Sequence, residues 1–73
     1  MNTVNQWIEA YKTKTGATTQ DIADALSISR VAFYRKRNGR SDFSLSQAKD
    51  LANLMGIQVA QLEVSPFDLA KRH

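Results

Sequence analysis

Five cationic side chains fall within eleven residues: Arg30, Arg35, Lys36, Arg37 and Arg40, with no acid among them. The segment carries +5, so a chain total of +3 leaves −2 for the other 62 residues. Positive charge focused on one short stretch attracts polyanions, because the summed field gathers phosphates at one face. Charge alone is equally compatible with a solvated basic turn. The interleaved residues add something more specific. On a helix Val31, Tyr34 and Arg35 share one stripe at i, i+3 and i+4, with Arg30 beside it at the helix start. Arginine offers guanine two parallel donors, valine can touch a thymine methyl, and tyrosine can bond a phosphate or pack on a sugar.

Other chemistries find little support. The chain has no cysteine, which excludes disulfides and thiolate metal sites. Its single histidine, His73, is terminal. The carboxylates Glu9, Asp21, Asp24, Asp42, Asp50, Glu63 and Asp68 are scattered, with Asp21 and Asp68 suited to the positive ends of helix dipoles. No nucleophile–base pair or metal-ligand set emerges, so neither an enzyme, a metal nor a cofactor is expected. Lys12 and Lys14 read most simply as solvated, although Lys14 can reach a phosphate near the second helix. A chain of 73 residues makes one domain with a thin core. The opening MNTVNQWIEA lacks the basic and apolar regions of a signal peptide. No apolar run approaches the roughly 20 residues of a membrane span. A soluble, cytoplasmic protein is expected.

The basic face needs helices to hold it. Thr3 and Gln6 have the spacing of a capping box, and Val4, Trp7, Ile8 and Tyr11 then form one apolar stripe that stops at Gly16. Thr18 and Asp21 repeat the capping pattern before Ile22, Ala23 and Leu26. Ser29 caps a third helix from Arg30 to Lys36 or Arg37, and Asn38-Gly39 ends it. Ser44 and Gln47 start a fourth, with Leu45, Ala48, Leu51, Ala52 and Met55 as its apolar face and Gly56 as its stop. Ile57, Val59, Leu62 and Val64 predict a short fifth helix. Ser65-Pro66 opens a last turn carrying Phe67 and Leu69, and Lys71-Arg72-His73 is expected to fray. Nothing alternates with period two, so the fold class is all-α. Trp7, Tyr11, Phe33 and Phe43 read as core. The third helix has only Phe33 as a large inward residue, so its neighbours must hold it while the rest of its circumference faces out.

Two short helices joined by a tight turn, the second basic and exposed, are the physical content of a helix-turn-helix. Thr18–Gly39 (TTQDIADALSISRVAFYRKRNG) resembles the helix-turn-helix of the phage Cro/CI repressor group, and Ser44–Ile57 (SLSQAKDLANLMGI) resembles that family's fourth helix. The resemblance covers residues 4–62. It rests on the capped helix start, Ala23 at the helix–helix contact, Ile28-Ser29, Phe33 and Gly39. Three positions depart from the pattern. Thr19 stands where the family often has glutamine, with Gln20 as a substitute. Ser27 stands at the usual turn glycine, where a left-handed backbone strains it mildly. Lys36 stands at a position that is often apolar and can snorkel toward phosphates.

The resemblance implies a compact five-helix bundle of the lambda-repressor-like type. Residues 1–64 would form the DNA-binding domain and 65–73 a short tail. It implies base contacts from Arg30, Val31, Tyr34 and Arg35. Backbone phosphates would be met by Thr18, Thr19, Gln20, Lys36, Asn38 and Arg40. Arg37 serves either phosphates or a structural ion pair. The expected partner is double-stranded operator DNA, bound by a homodimer that can form on the DNA itself. Val59, Leu62, Val64 and Phe67 are candidates for the dimer contact, or simply close the core. A Cro-like transcriptional repressor of phage or bacterial origin, acting in the bacterial cytoplasm, is the implied function. The alternative is a protein-interaction module, such as an antirepressor or an antitoxin subunit bound to another protein.

Overall fold

Short polar side chains set the helix starts, and residues in the left-handed region set the stops. The computed structural model describes the backbone of residues 3–70 and the side chains of residues 3–68. Helices α1 (Thr3–Thr15), α2 (Thr19–Ala25), α3 (Arg30–Arg37) and α4 (Leu45–Met55) are followed by a 3-10 helix (Val59–Glu63) and α5 (Pro66–Ala70). No strand occurs among the described residues. The all-helical architecture is thus the one expected. Two capping boxes form as their spacing predicts. The Thr18 hydroxyl accepts from the Asp21 amide at 3.1 Å while the Asp21 carboxylate accepts from the Thr18 amide at 3.0 Å. Ser44 and Gln47 exchange the same two bonds at the head of α4. Thr3, expected as the cap of α1, is instead already helical.

The predicted fifth helix takes a different form. Val59–Glu63 is wound as a 3-10 helix, with the Gln61 amide donating to the Gln58 carbonyl at 2.9 Å and the Val64 amide to Gln61 at 3.0 Å. Its bonds run i→i+3, the pattern of a short 3-10 connector. The chain then re-enters an α-helix at Pro66, whose missing N–H is harmless at a first helical position. Leu69 has only its backbone described, and Lys71, Arg72 and His73 lie outside the described residues.

The core is small and comes from every major element. Ile8 of α1, Ile22 and Ala23 of α2, Leu26, Phe33 of α3, Leu51 and Ala52 of α4, and Leu62 are buried. Val4, Trp7, Tyr11, Ile28, Phe43, Ala48, Leu54, Met55, Ile57 and Val59 pack around them. The Trp7 indole does double duty. Its ring covers the core while its N–H donates to the carbonyls of Gln61 at 2.8 Å and Val64 at 2.5 Å, which fastens the 3-10 helix to α1. α5 (Pro66–Ala70) also lies against α1.

This packing separates the four residues considered for a dimer contact. Leu62 belongs to the core, and Val59 packs against it. Val64 is half-buried, with its carbonyl bound to Trp7. Leu62 is therefore corrected from outer contact to core residue, because the 3-10 winding turns it inward. Phe67 is 69% exposed and is the one of the four left facing outward. Among the described residues, no helix is long and apolar enough to cross a membrane.

Candidate nucleic-acid interface

α2 and α3 are joined by Leu26–Ser29, and two backbone hydrogen bonds close the turn between them. The Ile28 amide donates to the Ala23 carbonyl at 3.1 Å and the Ser27 amide to Asp24 at 3.0 Å. These are the paired 6→1 and 5→2 bonds of a Schellman motif. The motif requires a left-handed residue at the position of Ser27, and Ser27 has φ +58°. It is the only non-glycine residue with positive φ among those described. The strain expected at this position is therefore present. Ile28 then drops its side chain onto the core. Ser29 turns out and caps α3, accepting from the Ala32 amide at 3.1 Å.

α3 divides sharply around its circumference. Its inner side is Phe33, fully buried, and Arg37, only 8% exposed, with Ala32 and Lys36 half-buried beside them. Phe33 meets Phe43 edge to face, with ring centroids 6.1 Å apart. Its outer side is Arg30, Val31, Tyr34, Arg35 and Asn38, all exposed. At 3.6 residues per turn these five span an arc of about 140°. Val31 and Tyr34 are 63% and 45% exposed, large values for apolar and aromatic side chains in so small a domain. Arg30 and Arg35 stand at the two rims of the arc, with no intramolecular partner among the described residues. The four residues expected to face bases thus lie on one outward surface.

The phosphate candidates scatter more. Thr18, Gln20, Asn38 and Arg40 are exposed. The Gln20 amide donates to Asp24 at 2.8 Å, on the same helix. Thr19 is half-buried, and its hydroxyl accepts from the Lys12 ammonium at 3.1 Å. Lys36 does not swing outward. Its ammonium donates to the Asp42 carbonyl at 2.9 Å and so pins the loop after α3. Arg40 follows Gly39, whose φ of +81° permits a second Schellman closure, the Arg40 amide donating to the Arg35 carbonyl at 2.9 Å.

Arg37 requires a correction as a phosphate contact. Its guanidinium faces inward and binds the side chains of α1. Nε donates to Asn5 Oδ1 at 2.8 Å, Nη2 also reaches Asn5, and Nη2 lies 2.5 Å from the Glu9 carboxylate. Of the two roles open to it, the structural ion pair is the one formed. The hydrogen bond from Arg37 holds the Glu9 carboxyl below its ordinary range, with the charges of Arg37 and Lys12 acting in the same direction and partial desolvation opposing. Sequence reasoning does not reach Asn5 and Glu9 as partners. A signal exists: they are four apart on α1, each one place beyond a core-stripe residue, and so match the Phe33/Arg37 spacing on α3.

A family profile described as the BetR domain matches residues 1–69. The chain belongs to the BetR domain family. The match runs past the helix-turn-helix at both ends, so in this chain the BetR domain takes in α1, α4 and the 3-10 helix that hold α2 and α3 in place. Neither a curated protein nor a solved structure matches this BetR-domain chain significantly. Among the described residues of the BetR domain, no cluster of three or more His, Cys, Asp or Glu side chains is placed to hold a metal ion.

Proposed function

We propose that this BetR-domain protein is a sequence-specific binder of double-stranded DNA that regulates transcription, with α3 as the element that enters the major groove. The observation that carries this reading is the outward arc of α3. A short helix spends two arginines, a valine and a tyrosine on solvent, while Phe33 and the Arg37 clamp hold it from behind. None of those four outward side chains contributes to the core cluster. Their arrangement matches what base edges offer in the major groove.

In this reading Arg30, Val31, Tyr34 and Arg35 face bases. Thr18, Gln20, Asn38 and Arg40 meet phosphates on either side, and Thr19 and Lys36 support the backbone contacts from below. The resemblance of Thr18–Gly39 to Cro/CI repressors favours repression of a promoter in a phage or bacterial setting. A helix of eight residues is about 12 Å long and covers about four base pairs, so one copy has little specificity. Two copies on a palindrome, with half-sites about 34–36 Å apart, resolve this, and Phe67 is the exposed apolar side chain available to such a pair.

Selection of bound duplexes from a random pool tests the reading. A two-fold-symmetric motif with half-sites one helical turn apart is expected. A folded protein that enriches no motif would instead favour a protein-interaction module, in which Arg30, Tyr34 and Arg35 are expendable.

A further inference from the structure

We infer that Val31 is a thymine reader: the operator half-site contains a thymine whose C5-methyl group packs against its side chain. The inference rests on the DNA-binding reading above and specifies one element of the site it recognises.

Val31 has no folding role that explains it. It is 63% exposed and takes no part in the core cluster. A β-branched residue on the solvent side of a helix is less favourable there than alanine or a long polar residue, because its χ1 is restricted against the preceding turn. Its location on α3 is not peripheral. Taking 100° per residue from Arg30, the outward arc runs through Tyr34, Asn38 and Val31 to Arg35, so Val31 and Tyr34 occupy its middle and the arginines its rims. A helix laid in the major groove brings the middle of its outward face nearest the groove floor.

On that floor the chemistry is limited. Guanine, cytosine and adenine present donors and acceptors there, and only thymine adds an apolar group, its C5-methyl. A valine held against any other base edge removes water from a polar group without replacing the lost bond. The methyl is thus the feature Val31 can recognise. Along the axis Val31 lies one residue beyond Arg30, a rise of about 1.5 Å, less than one base-pair step. The thymine therefore lies at or next to the base pair that Arg30 addresses. Arg35, about 7.5 Å beyond Arg30, reaches roughly two base pairs further along.

The test uses the full chain and the duplex that random-pool selection returns. Each thymine of a half-site is replaced singly by deoxyuridine, which deletes the methyl and leaves every donor and acceptor in place. Wild-type affinity should fall about fourfold at one thymine, the value of burying one such group. Val31→Gly, which removes the whole apolar side chain and is judged folded by its helical circular dichroism, should bind the thymine and deoxyuridine duplexes alike. Uniform wild-type binding to all the substituted duplexes would overturn the inference while leaving DNA recognition intact. So would a folded Val31→Gly protein that still prefers thymine at that position, since another side chain would then be the reader. Failure to select any duplex would remove the DNA-binding reading and the inference with it.

Discussion

The guanidinium of Arg37 lies 2.5 Å from the carboxylate of Glu9, 28 positions earlier in the chain, and this pair joins the far end of α3 to the middle of α1. The two ends of the bridge are unlike. The Arg37 side chain is 9% exposed and the Glu9 side chain 56%. Solvent screens the acid, so the ion pair itself is worth less than about 1 kcal/mol. Arg37 is also held by Asn5, and its methylenes fill space beneath α3. Thermal melts should therefore rank the variants, with Arg37→Ala losing about 1–3 kcal/mol and Glu9→Gln less than about 1 kcal/mol. The pH dependence has a definite sign. The folded-state pKa of Glu9 is lowered, so its contribution is full above the ordinary value of 4.5 and is lost as pH falls through the lowered value. The stability gap between wild type and Glu9→Gln should narrow on acidification below that point. A gap independent of pH would show that the carboxylate charge is immaterial.

Inward placement of Arg37 also sets how many cations are available to a polyanion. Of the five in the basic segment, Arg37 is clamped to α1 and Lys36 is bonded to the Asp42 carbonyl, which leaves Arg30, Arg35 and Arg40. Each phosphate neutralised contributes about 0.9 to the slope of log affinity against log salt. Arg40→Ala should reduce the steepness by about that amount per bound copy. Arg37→Gln, which removes the charge, should leave the slope unchanged when its helical circular dichroism shows that it is folded. An Arg37→Gln slope lowered as far as that of Arg40→Ala would mean that Arg37 reaches the DNA after all.

Ser27 offers the simplest stability gain. It occupies the left-handed position of a Schellman turn, with φ +58°, a role that Gly39 fills at the end of α3. A non-glycine residue in this region is strained by about 1–2 kcal/mol, and glycine recovers part of this at the expense of greater freedom in the unfolded chain. Ser27→Gly should stabilise by about 0.5–1 kcal/mol in chemical denaturation, with little change in DNA affinity. A loss of stability would indicate that the Ser27 hydroxyl makes a contact worth more than the strain.

Features decided over a short stretch of chain are legible in the amino-acid sequence. The two capping boxes, the Ser29 cap, the Ser27 strain and the buried Phe33 each depend on a few neighbouring residues, and all are present. The exposed stripe on α3 follows from helical period once Phe33 is known to point in. Features that depend on distant partners are harder to read. Helical period puts Lys36 and Arg37 on the Phe33 side of α3 and Arg35 off it, but it does not say what two cations would bind there. What holds them there is the arrival of Asn5 and Glu9 from one direction and the Asp42 carbonyl from another. The 3-10 winding of Val59–Glu63 has a similar origin, since the Trp7 indole donates to the carbonyls of Gln61 and Val64 from across the molecule. Apolar spacing alone leaves both a helix and an outward face open at Leu62.

The outward arc of α3 as the base-reading surface is tested most directly by repeating the random-pool selection with Arg35→Ala and comparing its motif with that of the wild type. Arg35 is exposed and unpartnered among the described residues, so its removal should leave the fold intact. One base position in each half-site should become degenerate, with a loss of about 1–3 kcal/mol there, while the remaining positions persist. An Arg35→Ala motif identical to that of the wild type would contradict the assignment of α3 as the reading helix.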